Sequence, residues 1–201
     1  MLEIIAKQFR KPEGLLGKIV GKIMSMDNRK INTWTLNRLQ IKPGDIILEI
    51  GFGPGAAIED MFKRQRNLRI DGIDLSHDML KAASTRNLDA LKKKKLRLFE
   101  GDLLEIEEDF YQYDKVVSVN NYPLWKDKQN SLKRIFQLMK HNGIIAITVQ
   151  PREDDASRKK TFAHAHEIEQ ALYLAGFRNI SVKFKKIAPE LTVCVTAVCK
   201  K

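Results

Sequence analysis

Cysteine is almost missing from this chain. Cys194 and Cys199 are the only two in 201 residues, too few for a disulfide-framed module, and no second pair or histidine stands at zinc-finger spacing from them. Five residues apart in a strand, their side chains point to opposite faces, so they are expected as two small buried residues in a reducing compartment. There is also no uninterrupted apolar run of membrane-spanning length, which excludes integral membrane association. Lys7, Arg10 and Lys11 break up any apolar stretch at the start, and no small-residue cleavage site follows, so no signal peptide is expected and the location predicted is cytoplasmic. Glycine (11) and proline (6) are sparse, and no low-complexity tract or internal repeat is visible, which excludes fibrous and disordered classes.

Acidic residues are also in deficit. The 36 Lys and Arg outnumber 25 Asp and Glu, giving a net charge of +11. Residues 1–44 hold nine bases and three acids, so a net +6 precedes the first strand. A field of this sign favours anionic partners, although solubility alone accounts for it as well. What remains is an ordinary globular balance, 43% hydrophobic and 30% charged, on a length that suits one domain, 1–201.

Residues 14–40 read as two helices. Leu15, Leu16, Ile19, Val20 and Ile23 form a stripe on the first, and Ile31, Trp34 and Leu39 lie within the second. Asp27 or Asn28 would cap the second, and Lys42-Pro43-Gly44-Asp45 breaks it. Residues 1–44 thus form a helical extension or lid. Apolar runs then appear at Ile46–Ile50, Leu68–Leu75, Leu96–Phe99, Val116–Val119 and Ile144–Val149, mostly with helix-length segments between them, the pattern of a parallel sheet covered on both faces. Ile180–Phe184 and Leu191–Val198 are joined by too short a connection for a crossover helix and must pair antiparallel. The fold class is therefore α/β: a Rossmann-like, doubly wound, seven-stranded sheet, mostly parallel, with a reversed C-terminal hairpin and N-terminal helices. The polar stretch 151–160 is the candidate mobile linker, at the sheet edge where ligands sit.

The strongest local signal is Glu49-Ile50-Gly51-Phe52-Gly53-Pro54-Gly55-Ala56, directly after the first strand and before a helix. A glycine-rich turn there lets backbone approach a ligand and aims free helix N–H groups at it. Taken alone, Gly51-x-Gly53-x-x-Ala56 also satisfies the dinucleotide fingerprint. Asp74 ends the next strand, about 20 residues on, where a carboxylate accepts the hydroxyls of a ribose. Glu100-Gly101-Asp102-Leu103 closes the third strand with another carboxylate, and Asn120 ends the fourth.

These successive motifs resemble those of class I S-adenosylmethionine-dependent methyltransferases, and the resemblance runs over about residues 14–198. It implies S-adenosylmethionine as cofactor, with S-adenosylhomocysteine as product. Gly51, Phe52, Gly53 and Gly55 would shape the turn around the methionine portion, with Glu49 ordering that turn and the amino group. Asp74 would bind the ribose. Leu75 and Met79 would line the adenine slot, Gly101, Asp102 and Leu103 would meet the adenine edge, and Asn120 would offer its carbonyl near the amino end.

The acceptor side is expected just after the fourth strand. Tyr122 and Trp125 would supply π faces and Asn121 a hydrogen bond. Asn121-Tyr122-Pro123-Leu124 is similar to the Asn-x-Pro-aromatic motif of adenine-N6 methyltransferases, but with Leu in place of the ring. Asn121…Trp125 together with Gln150-Pro151-Arg152 is closer to small bacterial methyltransferases of uncharacterised substrate, which would turn Gln150 and Arg152 toward the acceptor, Arg152 as an anion clamp. No catalytic base is evident. His164 and His166, two apart, cannot share a helix face as metal ligands, and no metal is expected. The leading expectation is thus a methyltransferase, monomeric or homodimeric, acting on a small molecule. A nucleic-acid methyltransferase, drawing on the charge, stands second, and a non-catalytic adenosine-ligand or nicotinamide-binding module third.

Overall fold

Each apolar run becomes a strand of one sheet. The computed structural model describes residues 29–106, 112–152 and 156–201; the Leu15–Ile23 stripe and the Asp27 or Asn28 cap lie outside them. The strands are β1 (Ile46–Ile50), β2 (Arg69–Asp74), β3 (Leu96–Glu100), β4 (Tyr113–Val119), β5 (Met139–Val149), β6 (Arg178–Lys186) and β7 (Leu191–Val198). Their spatial order is β3-β2-β1-β4-β5-β7-β6. β1 through β5 pair in parallel. β7 inserts antiparallel between β5 and β6, so of the final hairpin only β7 opposes the rest.

Helices cover both faces, because alternate residues of each strand are apolar in both directions. On one face Leu48, Ile50, Val116, Ile145, Ile147 and Val195 pack with Leu132 and Ile135 of α5 (Lys128–Leu138) and Ile168 and Leu172 of α6 (Arg158–Leu174). On the other, Ile47, Val117, Ala146 and Cys194 meet Leu36 and Leu39 of α1 (29–39) and Ile58 and Met61 of α2 (Ala56–Arg64). α3 (His77–Arg86) and α4 (Leu88–Lys92) lead into β3. The two thiols divide between the faces, Cys194 in the second cluster and Cys199 in the first, as their spacing requires.

Local chemistry sets several boundaries. Ser76, Asp127 and Ser157 cap α3, α5 and α6, each side-chain oxygen accepting a hydrogen bond from the backbone N–H three residues on. α1 runs antiparallel to the parallel strands: its Thr35 hydroxyl bonds that of Thr148, one residue from the end of β5 (2.7 Å), and its last residue, Leu39, packs in the cluster with Ile47 near the start of β1. The Arg29 end of the described helix therefore lies toward the C-terminal edge of the sheet. Asp71, in the middle of β2 and 1% exposed, is, with Glu49 of β1 and Lys115 of β4, one of the charged residues buried in the sheet. Arg97 grips it through two bonds of 2.7 and 2.6 Å, and the Tyr113 hydroxyl donates a third at 2.5 Å, which makes its burial tolerable. Among the described residues no helix is long and apolar enough to cross a membrane.

Candidate active site

The ends of four parallel strands meet at one edge, and the turns that follow continue the ladder. Gly51 N–H donates to Ile73 O at 2.7 Å, Gly101 N–H to Asp74 O at 2.9 Å, and Asn120 N–H to Thr148 O at 2.8 Å. This is where open α/β sheets bind ligands. A cleft of about 420 Å³, including space open to solvent, lies here. Eight of the sequence-predicted residues line it: Gly51, Asp74, Leu75, Gly101, Asp102, Leu103, Asn121 and Trp125. Leu75 stays 52% exposed there, an apolar wall without a partner.

The Asp74 carboxylate is held from below. Gly53 N–H donates to its Oδ2 at 2.8 Å and Ser76 N–H to its Oδ1 at 3.0 Å, so the glycine turn and the end of β2 share one anion. Burial pushes the Asp74 carboxyl up, and the two backbone amides oppose that shift. Glu49 is 2% exposed, and its Oε2 has no hydrogen-bond partner among the described residues. Burial, with the nearby charge of Asp74, pushes its pKa well above the ordinary value. Such a group calls for a cation, or for a proton it keeps.

Gly51, with φ +78°, has the Asn121 side chain lying where its own Cβ would stand, 2.2 Å from Asn121 Cγ. Only glycine permits that approach. Asn121 is held in turn by the Trp125 indole, whose Nε1 donates to Asn121 Oδ1 at 2.7 Å. The glycine turn, the asparagine and the tryptophan thus form one wall of the cleft.

Other expected residues stand elsewhere. Phe52 is 3% exposed in the α1–α2 core, filling the space that Gly72 leaves, since a Cβ at Gly72 would come within 2.8 Å of its ring. Gly55 packs against Ala83 and Asn87 of the α3 end, and Met79 packs half-buried on the same core. Gly53 faces open space. Tyr122 is fully buried: the 3₁₀ turn Tyr122–Leu124, with Pro123 inside it, tucks the ring under Trp125 (centroids 5.1 Å apart) and beneath Lys128 (5.0 Å). It supports Trp125 and offers no open face. Gln150 is 3% exposed and donates to Ile187 O, Glu190 O and Thr192 Oγ1, tying β5 to the hairpin. Asn120, at φ +54°, accepts the Gln150 N–H through Oδ1 at 2.8 Å. Arg152 is half-buried just beyond.

Leu124 and Ser131 also line the cleft. Leu124 was legible only as the departure from the Asn-x-Pro-aromatic pattern. Ser131 sits in the first turn of α5, four residues beyond the Asp127 cap, with Oγ donating to Asp127 O; its spacing from that cap is the signal it carries. His77, 58% exposed on its side chain, meets Glu100 at 2.7 Å on the outer rim.

The residues present fit S-adenosylmethionine. Glu49 keeps a buried oxygen free for an ammonium, the positive-φ turn opens at Gly53, Asp74 presents a carboxylate on the cleft, and Leu75 with Leu103 leaves an apolar slot beside Asp102.

Comparison with known proteins bears on the family and the fold. The family described as a methyltransferase domain matches residues 48–145. The chain is 44% identical over 179 residues to the uncharacterized methyltransferase YdaC of Bacillus subtilis, covering 89% of this chain and 97% of that one. Among solved structures, the putative methyltransferase from the Haloferax volcanii complex with the Trm112 activator superposes with a TM-score of 0.74 at 18% identity, over 90% of this chain and 93% of that one. Phosphoethanolamine N-methyltransferase 2 of Haemonchus contortus, in complex with phosphomonomethylethanolamine and S-adenosylhomocysteine, gives 0.69 at 20% identity over 86% of this chain and 53% of that one. These two share the fold. On the identity to YdaC and the matched domain, the chain belongs to the S-adenosylmethionine-dependent methyltransferases.

Proposed function

We propose that the protein transfers a methyl group from S-adenosylmethionine to a small-molecule acceptor bound beside Asn121 and Trp125. The observation that carries this is the convergence of Asp74, Asp102, Asn121 and Trp125 on one cleft at the C-terminal edge of the sheet. Bound there, the cofactor supplies an electrophilic methyl carbon on a sulfonium.

The chain's own task is to hold two reactants in line and keep water away. Asp74, already oriented by Gly53 and Ser76, receives ribose hydroxyls, and Glu49 receives the ammonium of the methionine portion. Leu75 and Leu103 cover the adenine, with Asp102 at its edge. On the acceptor side, Trp125 fixes Asn121 while presenting its own ring, and Leu124 excludes water. A small acceptor is favoured because one lone pair of Asn121 Oδ1 is taken by the indole and Tyr122 is buried. The position that the adenine-N6 motif fills with a stacking ring holds Leu124, and the neighbouring Tyr122 ring is closed off. The phosphorylated amine held by the Haemonchus enzyme is an acceptor of this size class on the same fold.

The test is calorimetric titration with S-adenosylhomocysteine, on protein checked by mass spectrometry for carried-over ligand. One saturable site is expected, weakened by about 1–3 kcal/mol in Asp74→Ala, the cost of unpaired hydroxyls. Unchanged affinity in that variant, or no binding by folded, ligand-free protein, refutes the assignment.

A further inference from the structure

A second concave surface lies beside α1. A groove of about 830 Å³, including space open to solvent, runs between residues 29–37 of α1 and the end of β6, lined by Arg29, Lys30, Trp34, Lys185 and Lys186 among others. The described lining contains four cations and no carboxylate. None of the four side chains has a hydrogen-bond or ion-pair partner among the described residues. Elsewhere in this chain cations are commonly neutralised: Lys63 by Glu59, Arg64 by Asp60, Lys93 by Asp89, Lys128 by Glu167 and Lys140 by Asp114. Four like charges converging on one concavity repel each other and raise the potential inside it. A half-buried indole, Trp34, lies between them.

Its position relates it to the acceptor. Lys186 pairs with Leu191, the first residue of β7, and β7 begins beside the end of β5. The groove therefore opens on the same edge of the sheet as the cleft. Arg29 and Thr33 line both this groove and a second surface concavity reaching Ala56, the first residue after the glycine turn. The acceptor-side residues follow the end of β4, and β6 is three strands away in the sheet. At about 4.8 Å per strand this is roughly 14 Å.

We propose that this groove is a phosphate-binding site for the acceptor, anchoring one or more phosphate groups along the same sheet edge, three strands from the strand that Asn121 and Trp125 follow. Paired ammonium and guanidinium groups on two walls suit a phosphate or diphosphate, Arg29 through its planar fork and the lysines as point charges, while Trp34 offers a face to a base or other flat group. The acceptor role rests on the methyltransferase reading; phosphate binding by the groove does not. The phosphate could belong to a phosphorylated metabolite or to a nucleic-acid backbone, and these separate on salt, since a backbone engaging several cations loses affinity steeply as salt rises.

The experiment titrates the full chain with inorganic pyrophosphate and, separately, with a ten-nucleotide single-stranded oligouridylate, each at low and physiological salt. Four variants are compared with the parent: Lys185→Glu with Lys186→Glu, Arg29→Ser with Lys30→Ser, Trp34→Ala, and Lys92→Glu with Lys95→Glu as a distant control with the same charge change as the first. At least tenfold weaker pyrophosphate binding is expected in the first two, little change in the control, and unchanged S-adenosylhomocysteine affinity throughout. Tighter, strongly salt-dependent oligonucleotide binding that is lost in the same two variants and weakened in Trp34→Ala supports the site and names a backbone as its source. Weaker oligonucleotide than pyrophosphate binding supports it with a small phosphorylated ligand. No binding of either probe, or equal losses in the groove variants and the distant control, overturns it. Because S-adenosylhomocysteine is titrated independently, loss of the cofactor reading and loss of the groove reading give different results.

Discussion

Replacing Gly51 by alanine is the sharpest probe of the wall between cofactor and acceptor. Two costs are separable in the structure. The first is conformational: at φ +78° an alanine in left-handed backbone costs about 1–2 kcal/mol. The second is steric. The new Cβ would stand 2.2 Å from Asn121 Cγ and 2.3 Å from Nδ2, so Asn121 must leave and break its bond with the Trp125 indole, worth a further ~0.5–1.5 kcal/mol. A total near 2–3 kcal/mol lowers the melting temperature by roughly 4–12 °C for a domain of this size. Thermal unfolding followed by far-ultraviolet circular dichroism measures it. Gly53→Ala is the matched control, because Gly53 also has positive φ (+51°) but nothing within 4 Å of its Cβ; it carries the first cost alone. In an Asn121→Gly background, which also removes the Asn121 Cβ that would stand 2.5 Å away, Gly51→Ala should likewise fall to the backbone cost, a coupling that a double-mutant cycle reads directly. If Gly51→Ala is no worse than Gly53→Ala, or if removing Asn121 gives no relief, the packing of this wall is not as described.

Two further outcomes test the buried charges. Glu49 has its pKa raised in the fold by burial and by Asp74, so the native state holds a proton that the unfolded chain gives up near its ordinary value of 4.5. The stability this carries is complete below that pH and is lost as pH rises toward the raised native value. Urea unfolding of Glu49→Gln should therefore show stability gained over the parent as pH climbs from 5 to 8, and a difference independent of pH would sink the idea. At Asp71, Tyr113→Phe removes one of its hydrogen bonds and should cost about 1–3 kcal/mol, whereas Arg97→Met strips its counter-ion and should cost about 3–5 kcal/mol; equal losses in denaturant unfolding would refute that ranking.

Much of the sheet was legible because its signal is local. β1 and β7 begin and end where their apolar runs do. β5 starts at Met139, five residues before its apolar run, because Lys140, His141 and Asn142 extend the strand along an exposed irregular end where Asn142 takes positive φ. β6 is longer than Ile180–Phe184 at both ends, where Arg178, Lys185 and Lys186 carry the pairing outward. An edge strand can be charged and still be a strand. The insertion of β7 between β5 and β6 was written in the same contrast: LTVCVTAV is buried on both faces and RNISVKFKK is largely exposed. An antiparallel hairpin alone does not say which arm lies inside; two-sided burial does.

Site residues divide by how far their chemistry depends on chain neighbours. Asp74, Gly101, Asp102 and Asn121 follow directly from strand ends, so position in the sequence becomes position in space, and all four line the cleft. Phe52, Tyr122 and Gln150 sit in the same motifs, yet their side chains turn into the core or the hairpin, because distant partners decide the direction: Gly72 makes room for Phe52, Lys128 and Trp125 enclose Tyr122, and the 187–192 segment supplies three acceptors to Gln150. The basic groove is the extreme case. Arg29 and Lys30 stand more than 150 residues from Lys185 and Lys186, and each pair alone is an ordinary solvated face. Their convergence follows from β6 being the outermost strand and from α1 packing against β5 through Thr35 and Thr148. A charge excess read from composition therefore becomes a located field only once strand order is known.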